Sequence, residues 1–218
     1  AGLKPIVYER GRDVDTRTAD VESFFSKGKL NPESNVQFGE GGAGTFSDGK
    51  LNSGIKDLRC RTVLETFYEF GAGEDILIDA KPHIGTDVLK TVVKNIRKEI
   101  ISLGGEVNFG AKLDGLFFEK DKLKEISING KKQPCEYLCL CIGHSARDTF
   151  KMLYDNGFEM TRKPFAMGVR IEHLQSEINR ALYGNFAESK ALKAADYKLA
   201  AHLQNGRGVF TFCMCPGG

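Results

Sequence analysis

Apolar residues recur along this chain in two rhythms, and their alternation predicts a mixed α/β fold. Ile6, Val7 and Tyr8 form a short apolar block between Pro5 and Gly11, which predicts a strand. Residues 13–27 are polar, with Val21, Phe24 and Phe25 at helical spacing, and predict an amphipathic helix ending near Gly28. Val63, Leu64, Phe67 and Phe70 share one face of a second helix over 58–70, which Gly71-Ala72-Gly73 stops. The strongest periodicity lies in residues 86–103, where Leu89, Val92, Val93, Ile96, Ile100 and Leu103 line one face. Thr86 can cap that helix, and Asp87 places a negative charge in its first turn, where the dipole favours one. Gly104-Gly105 ends the helix, and a strand over 106–109 follows, which makes a βαβ half-unit.

Three short strands come next, over 113–119, 123–128 and 131–133, with Asn129-Gly130 as a hairpin turn. They read as an antiparallel meander. Residues 137–142, Tyr-Leu-Cys-Leu-Cys-Ile, read as a buried strand running into Gly143-His144-Ser145-Ala146-Arg147-Asp148. A helix starts near Ser145, carries Phe150, Met152, Leu153 and Tyr154, and stops at Asn156-Gly157. The last quarter changes character. It predicts a strand over 165–171, a helix over 175–183 ended by Gly184, and two strands, 196–203 and 209–215, joined by Asn205-Gly206-Arg207-Gly208. The expected fold class is therefore α/β, with a first domain over 1–157 and a second, α+β domain over 158–218. The chain opens on Ala1 and closes on Cys215-Pro216-Gly217-Gly218, and it reads as a fragment of a longer protein.

Candidate chemistry begins in residues 36–52, which carry Gly39, Gly41, Gly42, Gly44 and Gly49. Glycine lets a backbone approach a ligand closely. A run of glycines can aim several N–H groups at one anion. Thr45 and Ser47 add hydroxyls, Lys50 adds a positive charge, and Asp48 lies beside it. The order of a P-loop is absent, because Leu51 follows Gly49-Lys50. A flexible surface loop is the plain alternative, but Phe38, Phe46 and Leu51 are out of place in a solvated linker. Glu9 ends the first strand. In dinucleotide-binding folds an acid at the end of the second parallel strand accepts from a ribose hydroxyl pair, although a solvated strand end looks the same.

Composition narrows the classes. Net charge is +2 over 218 residues and is mixed along the chain, which leaves no nucleic-acid footprint. No apolar run approaches the roughly 20 residues a membrane-spanning helix needs. No signal peptide is visible, and the six cysteines are too sparse for a secreted disulfide framework. A cytoplasmic setting is the expectation.

Glu9 after a strand, the Gly39–Lys50 loop, the strand–meander–strand order and the Cys-Ile-Gly-His-Ser-Ala-Arg-Asp turn occur together. In that order they resemble FAD-dependent dehydrogenases of the glutathione-reductase-like class with two dinucleotide-binding domains. The resemblance is strongest to a bacterial branch carrying Gly-Glu-Gly-Gly-Ala-Gly-Thr-Phe-Ser-Asp-Gly-Lys-Leu, and it extends through Phe165–His173 to the Cys213–Gly218 end. It implies a Rossmann-like FAD-binding domain and part of a substrate domain. It implies that Glu9, with Arg10 beside it, binds the adenosine ribose of FAD. Gly39, Gly41, Gly42, Ala43, Gly44 and Thr45 would lie against the pyrophosphate and flavin side, with Ser47 and Lys50 on the same loop. Val107 would meet the adenine, and Gly143 would approach the cofactor. Relatives carry Ala-Thr-Gly where this chain has Ile142-Gly143-His144. The first glycine fingerprint of such folds would fall before Ala1.

His144 is the leading acid–base candidate, since imidazole titrates near neutrality. Its plain alternative is a helix N-cap neighbour bonded to backbone. Arg147 can pair with an FAD phosphate or a substrate carboxylate, or be a solvated first-turn side chain. Cys139 and Cys141 share a strand face, as do Cys213 and Cys215. Four thiolates could hold zinc or an iron–sulfur cluster, but small buried residues explain the pattern as well, so no metal is expected. The reading is an FAD-dependent oxidoreductase acting on a small-molecule substrate, with NAD(P)H as a candidate donor. The alternatives are a flavin-binding module without catalysis and a metal-binding interaction protein. No nucleic-acid or membrane partner is expected.

Overall fold

The computed structural model describes residues 2–46, 49–51, 55, 57–79, 82–212 and 214. The chain forms two compact units, residues 1–160 and 161–218.

In the first unit, β1 (Ile6–Glu9) pairs in parallel with β2 (Glu106–Phe109), Val7 opposite Val107 and Glu9 opposite Phe109. Between them run α1 (Val14–Lys27), α2 (Arg59–Glu69) and α3 (Thr86–Ser102). Asp13 caps α1, its Oδ1 accepting from the N–H groups of Asp15 and Thr16 at 3.1 and 3.2 Å. Gly28 closes the helix. Thr86 is the first residue of α3; Gly85 is the cap, and no side chain bonds there.

The apolar face of α3 builds one core. Leu89 and Val92 join Ala72, Ile76 and Ile84, and Phe67, Phe70, Val93 and Ile96 pack around them. Ile76 belongs to a single 3₁₀ turn, Glu74–Leu77. A second 3₁₀ turn, Ala43–Phe46, sits against α3 and brings the end of the glycine loop onto this core.

The meander consists of β3 (Leu113–Glu119), β4 (Lys122–Ile128) and β5 (Lys131–Pro134), antiparallel in that order. Its inner residues Leu116 and Ile126 bury against Leu153 of α4 (Arg147–Asp155). Gln133 Nε2 donates to the Tyr8 hydroxyl at 2.7 Å, tying β5 to β1.

In the second unit, α5 (Gln175–Tyr183) runs into a 3₁₀ turn, and β6 (Ala200–His202) pairs antiparallel with β7 (Gly208–Phe210). Asn179 Oδ1 accepts from the N–H of Ala195 at 2.9 Å and from Gln175 Nε2 at 2.8 Å, anchoring the following loop to α5.

Two expected strands are absent. Residues 137–142 and 165–171 take no regular secondary structure and join no ladder among the described residues. Leu138 and Ile142 pack on the meander core, whereas Cys139 and Cys141 are exposed. In the second segment Phe165, Met167, Val169 and Ile171 are all exposed. A strand needs a neighbour to satisfy its N–H and C=O groups, and neither segment has one among the described residues. The terminal pair is also shorter than expected. The architecture is thus a mixed α/β fold whose described residues form small sheets, one parallel and two antiparallel.

Candidate functional site

Glu9 ends β1 with its carboxylate turned back over the chain. Its Oε1 accepts from the N–H of Gly11 at 2.8 Å and of Gly39 at 3.0 Å. Oε2 has no hydrogen-bond partner among the described residues. The glycine loop is thereby fastened to the carboxyl end of the parallel pair, the edge where open α/β sheets receive ligands.

A second fastening comes from Arg17 of α1, which is fully buried. Its Nε donates to the carbonyl of Asn35 at 2.8 Å, and Nη2 to that of Val36 at 3.0 Å. Its Nη1 donates to the carbonyls of Gly39 at 3.2 Å and Glu40 at 2.6 Å. The guanidinium also lies over the Phe46 ring, 4.6 Å from its centroid. Burial pulls the Arg17 pKa down to about 10, while Glu9 and Glu40 oppose that shift, so the group stays charged at neutral pH.

Glu40 is the third fastening. Its Oε2 accepts from the N–H of Val14 at 2.7 Å, the first turn of α1. Its Oε1 accepts from Arg97 Nε of α3, also at 2.7 Å. Asn35 shapes the near end, with Oδ1 accepting from the N–H of Gln37 at 2.8 Å and Nδ2 donating to the Asn31 carbonyl at 2.8 Å.

The far side of the loop is open. Gly41, Gly42, Ala43 and Gly44 are exposed, and a Cβ built on Gly42 meets nothing within 4 Å. Gly41 admits no side chain, because a Cβ there would lie 2.1 Å from Thr45 Oγ1. The Thr45 side chain is fully buried, and its hydroxyl has no partner among the described residues. It therefore lies beneath the loop rather than on its open face.

Beyond the β1 and β2 ends lies a pocket of about 410 Å³ lined by Arg10, Arg12, Ser34, Gly110, Lys112 and Asn129, among others. Arg10 Nη2 donates to both oxygens of Asp148, each at 2.9 Å, and its guanidinium stands 4.5 Å from the Phe38 ring centroid. Lys112 Nζ reaches the same carboxylate at 2.5 Å. Asp148 thus ties the first turn of α4 to the end of β1. Partial burial alone would raise its pKa, but the bonds from Lys112 and Arg10 outweigh this and hold it well below the usual carboxylate range.

A carboxyl depressed in the fold contributes stability that is present above its unfolded value, about 3.9, and is lost as pH falls toward the folded value. Because Asp148 is partly exposed, screening keeps the contribution at about 1 kcal/mol. Urea denaturation at pH 7 should find Asp148→Asn less stable than the wild type by about that amount. The gap should close as pH drops from 5 toward 2. A gap independent of pH would show that the ion pairs do not supply it.

The bonds thus bring Glu9, Arg10 and Gly39 together. Val107 sits in the middle of β2, opposite Val7. Lys50 forms an isolated antiparallel bridge with His83. Gly143 is exposed with open space around it. His144 and Arg147 are exposed side by side, Nε2 and Nη2 being 3.4 Å apart. Among the described residues no hydrogen bond, ion pair or ring contact joins either of them to the glycine loop. Ser47, Asp48, Cys213 and Cys215 lie outside the described residues. Cys139 and Cys141 are free thiols, and the described residues hold no cluster of three or more metal-type ligands. No helix among them is long and apolar enough to cross a membrane.

Arg17, Glu40 and Asp148 carry the geometry, yet the sequence pattern singled out none of them for it.

Residues 164–218 match the family model described as FAD-dependent protein, C-terminal domain-like. That match lies within the second unit. A protein of Clostridium beijerinckii, described as uncharacterized, is 57% identical over 218 residues, which is 100% of this chain and 41% of that protein. The chain therefore spans less than half the length of this relative.

Proposed function

We propose that the protein is an FAD-dependent oxidoreductase that moves a hydride between a small organic substrate and flavin. On this reading, residues 1–157 belong to a Rossmann-like FAD-binding domain and 158–218 to a substrate domain. One observation carries it: a strand-end carboxylate clamps a glycine loop to the carboxyl edge of a parallel pair and keeps one oxygen free. The C-terminal family match independently supports the cofactor.

The residues present fit a dinucleotide. Glu9 Oε2 is free to accept from a ribose hydroxyl. Gly41 to Gly44 offer exposed backbone with open space over Gly42, as close approach of a pyrophosphate requires. Arg10, held by Asp148, and Val107 on β2 would border the adenosine end, with Gly39 beneath it and Gly143 approaching from the α4 side. Ser47 and Lys50 belong to the same loop. Thr45 supports the loop from below. Bound there, FAD supplies the electron-accepting chemistry, and the protein's part is placement and electrostatics.

Arg147 is suited to hold a substrate carboxylate or cofactor phosphate through its fork. Arginine only donates, so in its 3.4 Å contact with Arg147, His144 Nε2 can take part only as an acceptor. His144 is the acid–base candidate beside it. NAD(P)H is the candidate donor in a second half-reaction. A flavin-binding module without catalysis is the rival reading. It is favoured by the lack of any described contact between His144 or Arg147 and the loop.

An absorption spectrum of the purified protein, with the released chromophore identified by chromatography, tests the assignment. Flavin bands and released FAD are expected, as is bleaching by a reduced substrate or NAD(P)H. A colourless protein that takes up no added FAD would overturn the reading, and a bound flavin that no donor reduces would leave the module. Glu9→Gln should weaken FAD binding about tenfold, the worth of one charge-assisted hydrogen bond. Unchanged affinity would remove Glu9 from the site.

A further inference from the structure

We propose that Arg17 is a positioning residue that turns the Gly41 N–H outward to receive an anionic phosphate group, a role that rests on the dinucleotide reading above. Arg17 touches no ligand-facing surface, being fully buried beneath the loop. Its effect passes through the peptide plane. The C=O of one residue and the N–H of the next point in opposite directions across a trans peptide. Arg17 Nη1 draws the Glu40 carbonyl inward at 2.6 Å, so the Gly41 N–H points away from the guanidinium. Gly41 is exposed, and its N–H has no hydrogen-bond partner among the described residues.

The neighbouring amides are already spoken for. The Gly39 N–H bonds to Glu9, the Glu40 N–H to the Arg12 carbonyl at 3.0 Å, and the Gly42 N–H to the Gly39 carbonyl at 3.0 Å. Of the amides of residues 39–42, the one on the peptide that Arg17 grips at Glu40 is thus without a partner among the described residues. An uncharged filler of similar size would bury more cheaply than a guanidinium. What it could not do is hold four carbonyls of one loop at once. Lysine would keep the charge but lose the planar fork.

Amide hydrogen exchange tests this without any flavin. In Arg17→Ala, and equally in Arg17→Lys, the Gly39, Glu40 and Gly42 amides should exchange at least about tenfold faster than in the wild type, with the β3–β5 amides unchanged. Millimolar methylguanidinium should restore protection in the alanine variant by refilling the space. The same variants should bind FAD about tenfold more weakly, and methylguanidinium should recover affinity in Arg17→Ala. Loop protection that survives both substitutions overturns the proposal. So does loss of protection shared equally by the meander, or failure of methylguanidinium to rescue a folded Arg17→Ala. Should Arg17→Ala not fold, Arg17→Lys decides by the same exchange comparison. If the wild-type protein binds no FAD while exchange behaves as expected, the flavin reading falls and the loop-positioning role stands.

Discussion

Gly39→Ala is expected to destabilise the protein by about 3–4 kcal/mol, the upper range for a single substitution, and to weaken FAD binding with it. Gly39 has φ +121°, a conformation that penalises any side chain. Its new Cβ would also lie 2.4 Å from Arg17 Cδ and 2.8 Å from Arg17 Nε. A long arginine ordinarily swings aside, but this one is pinned through four carbonyl bonds. The loop must move instead, and movement breaks the bond from the Gly39 N–H to Glu9. For a domain of this size each kcal/mol shifts the midpoint by about 2–4 °C. Thermal unfolding followed by circular dichroism should therefore show a fall of about 10 °C. A fall under about 2 °C would mean that Arg17 is not fixed where its bonds place it.

Ile76→Ala should cost about as much by a different route, roughly 3–4 kcal/mol from lost burial and the cavity left behind. Ile76 is 1% exposed and stands among Ala72, Ile84, Leu89 and Val92. A one-turn 3₁₀ element has few bonds of its own with which to collapse into the space. The substitution should lower the urea midpoint strongly without changing the slope of the transition. Protection of the Gly39 amide relative to the meander should stay the same, since Ile76 is not part of the Arg17 network. Selective loss of loop protection would instead join this core to the site.

Periodicity made the helices readable. The stripe from Leu89 to Ile96 on α3 is buried much as its spacing implies, and Asn129-Gly130 does turn the meander, Ile128 pairing with Lys131. The two missing strands failed for a non-local reason. Tyr137 to Ile142 has the residues of a strand, but pairing depends on what lies alongside, which no local pattern contains. Thr86 looked like a cap and instead entered the helix, because the Gly85 backbone already makes the turn. At the site, Glu9 and the glycines were visible as types, and the open face over Gly42 agrees with close approach by a ligand. Arg17 was not visible. In a polar stretch of α1 it reads as one more solvated cation, and only the path of residues 35–40 around it reveals that it is enclosed. Glu40 was hidden likewise inside a motif read for its glycines.

Glu40 binds residue 14 through one oxygen and residue 97 through the other. Such a bridge closes long stretches of chain, and the entropy of closing them is lost before the bonds are gained. The glycine loop is therefore expected to take its shape after α1 and α3 have come together. A newly made chain with its helices formed but not docked would have no fixed amide there, so on the dinucleotide reading a phosphate would be captured only by a nearly finished fold. In kinetic terms, changes at Glu40 should leave the folding rate almost untouched and speed unfolding, so that the loop acts as a late lock on the structure.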